Sequence, residues 1–483
     1  MASTVLEYPD SAPGLRERLA KPVGIYPRRV SGRFRNIKWA ALVLLLGVYY
    51  LLPWIRWDRG PAAPDQAILV DMAGRRLYFF WLEIWPQEVY FLTGLLVLAA
   101  FGLFLATALF GRVWCGFACP QTVWTDLFLW VERLIEGDRL ARMRLDRQPP
   151  TAGKAIRKTI KHAAWLLIAF ATGGAWVMYF NDAPTVVRDF FTGTAGPVVY
   201  GFVGLFTATT YLLAGWAREQ VCTTMCPWPR IQGGLLDQDS LAVTYRAWRG
   251  EPRGPHKKGA SWAGRGDCID CEQCVVVCPT GVDIRDGLQL GCIGCGLCID
   301  ACNNVMAKVD RPPFLIAWDS ARNQELLAAG QPASYRLLRP RTVTYAALLL
   351  VVAIVILFGL GARAAVDINI LPERNPLYVT LSDGSIRNGY TMKILNKSHE
   401  SRTYDLTVEG LEGATLSVVG QELADSSHAQ LAAGPDTVTT YRIYVTALPA
   451  AVSEGSQELI MALTDRQDGA TVRHKTVFRG PER

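Results

Sequence analysis

The chain has 483 residues, half of them hydrophobic, and a formal net charge of +7, which is room for about three units. Its twelve cysteines all fall between Cys115 and Cys302 in closely spaced groups, which suits metal binding and not the disulfide framework of a small secreted protein. The basic residues flank apolar runs, so the positive charge is topological rather than a nucleic-acid footprint.

Residues 1–38 form a polar, basic arm. A secretory signal has a short basic lead and a cleavage site of small residues. Here the lead is long and the apolar run ends in Pro53, Trp54, Ile55, Arg56 and Trp57, so Trp39–Ile55 reads as an uncleaved membrane anchor. Ala67–Asp71 and Arg76–Trp85 then read as a hairpin with an aromatic strand, within a segment 56–88 on the outer surface of the bilayer. Trp81 and Trp85 are of the residue type that settles at a membrane interface. Four further apolar runs, Val89–Phe110, Ala163–Phe180, Val198–Trp216 and Thr344–Leu360, come close to the roughly 20 residues that cross a bilayer core.

Lysine and arginine orient these spans. The first 38 residues carry eight and the loop 111–162 carries ten, against one in 182–197 and four in 56–88. The basic segments therefore belong inside, with the N-terminus in the cytoplasm and the C-terminus outside. The expected divisions are an arm at 1–38, a four-helix membrane region at 39–217, a cytoplasmic module at 218–343, a fifth span at 344–362 and an outer domain at 366–483.

The second and fourth spans each end in the same short sequence: an arginine (Arg112, Arg218), then Cys115-x3-Cys119-Pro120 and Cys222-x3-Cys226-Pro227. This looks like an internal repeat at the cytoplasmic face. On a helix, residues i and i+4 share one side, so each pair could present two sulfurs to one object. Cu(I), for which thiolates are suited, a dithiol–disulfide couple and a third cluster all remain open. The plain alternative is cysteine as a small apolar filler, against which two identical spacings argue.

Between Cys268 and Cys302 lie eight cysteines. Cys268, Cys271, Cys274 and Cys278 repeat the spacing of Cys292, Cys295, Cys298 and Cys302, the C-x2-C-x2-C-x3-C run of two-cluster ferredoxins, whose fourth cysteine ligates the other cluster. One [4Fe-4S] cluster is expected on Cys268, Cys271, Cys274 and Cys302. The other is expected on Cys278, Cys292, Cys295 and Cys298. Cluster assembly needs reduced thiols, which agrees with the cytoplasmic side assigned from charge.

Five histidines leave no bis-histidine haem in the membrane region. His162 is an interfacial residue, and His399, His428 and His474 are solvated in the outer domain. No glycine-rich dinucleotide fingerprint is present. In residues 366–483, Tyr390, Met392 and Ile394 alternate with polar residues, as do Tyr404, Leu406 and Val408, then Tyr441, Ile443 and Val445. Turn signals such as Asp383-Gly384 and Gly434-Pro435-Asp436 divide them into seven or eight strands of an immunoglobulin-like β-sandwich.

These motifs together resemble the membrane polyferredoxins, a group with NapH- and NosR-like quinol-oxidising members. Within that group the chain is similar to the FixG/RdxA/CcoG type of cytochrome c oxidase accessory protein. The likeness rests on Trp85-Pro86-Gln87, on the stretch from Val113 to Gln121, on Cys292 to Cys295 and on Asp300 to Met306; Asn303 departs from the proline that usually follows the last cysteine. The resemblance implies reduction of Cu(II) to Cu(I) for loading a cbb3-type oxidase, with copper near Cys115, Cys119, Cys222 and Cys226. It implies oxidase subunits or copper-delivery proteins and a cytoplasmic electron donor as partners, in a bacterial inner membrane; a homodimer stays open. A quinol-oxidising enzyme and a non-enzymatic assembly scaffold are the competing readings.

Overall fold

The computed structural model describes residues 24–61, 63–257, 259–421, 427–452 and 455–481. Most of the expected basic arm, residues 1–23, lies outside them. Five helices among the described residues are long and apolar enough to cross a membrane: Arg33–Trp54, Pro86–Phe110, Ala152–Met178, Pro197–Met225 and Pro340–Gly361. The protein is a helical membrane protein carrying a two-cluster ferredoxin-like module and an immunoglobulin-like domain. The chain divides into two compact units, residues 1–55 with 66–357, and residues 56–65 with 358–483.

In the first unit, α1 (Arg33–Leu51) leads through a short turn into a three-stranded antiparallel sheet, β1 (Ile68–Asp71), β2 (Arg76–Phe79) and β3 (Leu82–Ile84). The expected long aromatic strand is thus two strands. The break falls at Phe80, whose φ of 53° turns the chain where a strand residue would stay extended.

The second span is α2 (Tyr90–Phe110). The segment after it, expected to be a basic loop, contains α3 (Pro120–Glu136) and α4 (Arg139–Arg147). Phe128 on α3 is fully buried and stacks on Trp165 at 5.4 Å, so the loop is helical because its apolar stripe has a partner. The third span, α5 (Ala152–Met178), starts eleven residues before its apolar run. Thr151 caps it by accepting from Lys154 N at 3.3 Å. Lys158 and Lys161 each pair with Glu136 at 3.0 Å. Charges neutralised on the protein side let a helix continue where hydropathy falls.

After α6 (Ala183–Thr192), the fourth span begins as α7 (Pro197–Thr210) and then widens into turns of π-helix. The cysteine-rich module follows, with α8 (Trp228–Leu235), the paired strands β4 (Ala242–Tyr245) and β5 (Ile316–Asp319), and α9 (Leu297–Met306) between them in sequence. The fifth span is α10 (Pro340–Gly361). Its Leu357 and Phe358 are 68 % and 76 % exposed, the surface a lipid-facing helix presents.

Among the described residues the second unit holds nine strands in two antiparallel sheets. One contains β6 (Val366–Pro372), β7 (Val379–Thr380), β8 (Ile386–Asn396), β10 (Thr415–Val418) and β12 (Thr437–Ala447). The other contains β9 (Arg402–Glu409), β11 (His428–Ala433), β13 (Ser456–Asp465) and β14 (Thr471–Arg479). Tyr390, Met392, Ile394, Leu406, Ile443 and Val445 are completely buried in one core between the sheets. Period-two alternation therefore located the inner faces. Tyr390 Oη donates to Val477 O at 2.9 Å and ties the sheets together.

Candidate functional site

The two cysteine runs take the same turn twice. In Cys268–Cys274 the residues either side of the second cysteine, Asp270 and Glu272, have φ of 54° and 53°. In Cys292–Cys298 the same places hold Gly294 and Gly296, with φ of 66° and 71°. Each left-handed residue swings the next sulfur inward, and a short helix starts behind it. Glycine adopts such angles readily, whereas Asp and Glu do so under strain. The first run bears that strain at exposed positions. In the second run a side chain would also collide: a Cβ on Gly296 would lie 2.6 Å from Phe34, and one on Gly294 3.1 Å from Arg112.

These turns line two small cavities of equal size. Cys268, Cys271, Cys274 and Cys302 line the first, with Tyr245, Met306 and Leu315. Cys278, Cys292, Cys295 and Cys298 line the second, with Val243, Ile284 and Leu297. Cys274 borders both. All eight sulfurs expected to bind clusters are thus gathered in two sets of four, and no cysteine forms a disulfide. Among the described residues no three Cys, His, Asp or Glu side chains converge closely enough for one ion. Four thiols around a void fit the corners of an inorganic cube rather than four bonds to one metal.

Burial pushes the Cys274, Cys295 and Cys302 thiols up to about 12, and a cationic cluster would take them as thiolates. Val282 N donates to Cys278 Sγ at 3.4 Å, the kind of contact that tunes a bound cluster.

The other four cysteines also form a repeat, of a kind the sequence did not predict. Trp114–Ala118 and Val221–Met225 are single turns of π-helix. Cys119 N donates to Trp114 O and Cys226 N to Val221 O, both at 2.8 Å. The second cysteine of each pair is extended, with ψ of 128° at Cys119 and 124° at Cys226, as a following proline requires. The pairs therefore do not sit one turn apart on one α-helical face, as expected; the π-turn carries the first sulfur and the second lies on its exit.

All four thiols lie near enough to interact electrostatically. Cys115 is buried, Cys119 and Cys222 are half-buried, and Cys226 is exposed. Burial pushes the Cys115 thiol up to about 12, and its Sγ donates to Gln232 Oε1 at 3.2 Å. Cys115 and Cys222 pack with Ile293, Cys295 and Leu297, beside the second cavity.

The roles of two residues named from the sequence were missed. Arg112 is buried, and its guanidinium donates to the carbonyls of Gln289, Leu290 and Cys292 at 2.7–3.0 Å and to Pro229 O at 3.2 Å. It fastens both cysteine pairs to the loop of the second cavity. Asp300 accepts from Phe34 N at 3.2 Å and Arg35 N at 2.8 Å, capping α1 from a residue far along the chain. Gly32 is required there, since a Cβ would lie 2.3 Å from the carboxylate carbon. The motif quoted around Asp300 was a signal for this cap, but hydrogen-bond partners so distant in sequence leave no local pattern.

His162 Nδ1 is 2.9 Å from Tyr211 Oη, and its ring stacks on Trp216, as an interfacial residue would. His428 and His474 lie on β11 and β14, and His399 sits in the turn between β8 and β9.

Residues 217–321 match the family described as a 4Fe-4S dicluster domain, and residues 92–137 match a 4Fe-4S binding domain. Residues 356–481 match the immunoglobulin-like fold at the C-terminal of FixG. The chain is 51 % identical over 450 residues to the nitrogen fixation protein FixG of Rhizobium meliloti, covering 87 % of this chain and 86 % of that one. It is 50 % identical over 444 residues to RdxA of Cereibacter sphaeroides, covering 91 % and 92 %. Against RdxB of the same organism the identity is 50 % over 469 residues, covering 95 % and 97 %.

Proposed function

This chain belongs to the FixG family, and from that premise we propose that it reduces Cu(II) to Cu(I) for the assembly of a cbb3-type cytochrome oxidase. Its standing as a membrane iron–sulfur redox protein is the ground from which the proposal starts. Cys268, Cys271, Cys274 and Cys302 would hold one [4Fe-4S] cluster, and Cys278, Cys292, Cys295 and Cys298 the other. Bound clusters supply single electrons at potentials spanning about −700 to +450 mV.

The observation that carries the proposal is the convergence of two identical π-turns, with four thiols, on the loop Gly291–Gly296 beside the second cavity. Thiolates favour Cu(I) over harder ions, so a pair of thiols drawn from Cys115, Cys119, Cys222 and Cys226 would stabilise the product of a one-electron reduction. Exposed Cys226 receives the ion from solvent, and buried Cys115, oriented by Gln232, holds it in a water-poor place.

The helix ends that meet the cysteine-rich module carry the basic residues. Asp300 binds the start of α1, Arg112 follows α2, and Arg339 at the start of α10 donates to Ala108 O at 2.8 Å. By the positive-inside rule this is the cytoplasmic side, where the donor would act. The segment 366–483 then lies outside and faces oxidase subunits or copper-delivery proteins.

The test is anaerobic Cu(II) reduction by dithionite-reduced protein, read with a Cu(I) chelator. Replacing Cys115 and Cys226 together by serine should abolish Cu(I) formation while cluster absorbance and about eight iron atoms per chain persist. Undiminished reduction in that variant would exclude these thiols as the site.

A further inference from the structure

The two cavities are not equivalent with respect to the four thiols. Neither cavity is itself lined by a span or a π-turn, but among the described residues no π-turn contact reaches the turns of the first run, whose Cys271 is exposed. The loop of the second cavity, by contrast, is pressed between both π-turns. A Cβ on Gly116, the residue after Cys115, would lie 2.8 Å from Gly294 O and 3.0 Å from Cys295 Cα. A Cβ on Gly291 would lie 3.5 Å from Thr223 Cγ2, the residue after Cys222. Contact at Gly116 is backbone against backbone, so no flexible side chain can move aside to admit a methyl group.

We propose that Gly116 is a positioning residue that couples the four thiols to the second cavity alone, so that copper bound there is reduced from the side of Cys278, Cys292, Cys295 and Cys298. This rests on the function proposed above and adds the direction: the first cavity faces the electron donor, and the second faces the metal. A reduced [4Fe-4S] cluster held by Cys278, Cys292, Cys295 and Cys298 would supply one electron, across the Gly116–Cys295 contact, for each Cu(II) that becomes Cu(I), and no proton need move. The glycine pattern supports the assignment. The second run has glycine where the first tolerates Asp270 and Glu272, because only the second run is crowded by Arg112 and Phe34.

The test uses the full-length, cluster-loaded protein in detergent and Zn(II), a thiolate-binding cation that neither dithionite nor a reduced cluster reduces. A positive charge at the thiols favours the reduced state of the nearer cluster, because Coulomb interaction falls with distance. An EPR-monitored redox titration should show Zn(II) raising the midpoint potential of one cluster only. The shift should survive in Cys271→Ala and vanish in Cys298→Ala. In Gly116→Ala the shift should fall to less than half with Zn(II) stoichiometry unchanged, whereas Gly234→Ala, with open space around its Cβ, should keep it.

An equal shift of both clusters, a shift confined to the cluster lost in Cys271→Ala, or a full shift in Gly116→Ala would overturn the proposal. The two cysteine variants decide which cavity is coupled, and loss of iron in Gly116→Ala would overturn the positioning role. Copper chemistry is judged separately. A wild-type Zn(II) shift without Cu(II) reduction would sink the proposed function and spare the coupling; Cu(II) reduction without the shift would do the reverse.

Discussion

Arg35 and Asp126 face each other in a buried pair, with one guanidinium nitrogen donating to both carboxylate oxygens at 2.9 Å. Burial alone would raise the Asp126 pKa, but the charges of Lys38 and Arg35 outweigh it and hold the carboxyl below the usual range. A depressed native pKa means the pair contributes stability above the ordinary carboxylate value of about 3.9 and loses it as pH falls below that. Asp126→Asn should therefore destabilise the protein by about 3–5 kcal/mol at pH 7. The gap to the wild type should close as pH falls below about 4, which thermal unfolding in detergent across pH 3–8 would read. A gap that is independent of pH would rule out the ionic origin.

Arg218 occupies a backbone position that its counterpart in the first repeat fills with glycine. Gly111 has φ 65° and ψ −132°, and Arg218 has φ 38° and ψ −110°. Arg218 is held there by Gly215 O at 2.6 Å and Glu132 at 3.1 Å. Arg218→Gly and Arg218→Ala remove the same side-chain contacts, but only alanine keeps the strain. The glycine variant should be the more stable of the two by about 1–3 kcal/mol, visible as a higher unfolding midpoint; equal midpoints would show that the turn relaxes without the side chain.

Thiol accessibility should rank the proposed copper ligands. Cys226 is exposed, while Cys115 is buried, its thiol pushed up to about 12 by burial, and it donates to Gln232. At pH 7.5, iodoacetamide should modify Cys226 within minutes and spare Cys115 until the chain unfolds, as peptide mass spectrometry would show. Early labelling of Cys115 would place it in solvent.

In the immunoglobulin-like domain, Tyr390→Phe removes only the hydrogen bond to Val477 O and leaves the ring in the core. The expected loss is about 1 kcal/mol, seen as a lower denaturant midpoint for that domain. An unchanged midpoint would mean that the bond between sheets adds nothing beyond packing.

Local signals made much of this protein legible. The spacing of eight cysteines pointed to the two turns that line the cavities, with Cys274 bordering both, because that spacing is itself the geometry of the loop. Alternation around Tyr390, Leu406 and Ile443 marked the sandwich core for the same reason. What escaped was non-local. Helix α3 was taken for loop because its charged residues Asp126, Glu132 and Glu136 dilute its hydropathy, and their partners Arg35, Arg142 and Lys161 lie on other elements. The π-turns escaped because C-x3-C suggests an ordinary α-helical face. Proline after each pair was the one clue that the second cysteine must leave the helix.

The cap that Asp300 places on α1 also orders events during synthesis. The first span is made some 265 residues before the carboxylate that satisfies its leading amides. Until the second cysteine run has been made and folded, α1 has no partner for Phe34 N and Arg35 N from that run, and Gly32 has nothing to close upon. Closure of the bundle around its first helix thus reports that the last cysteine-bearing loop has taken shape. Damage to that loop would register at the N-terminal helix as well as at the cavity it encloses.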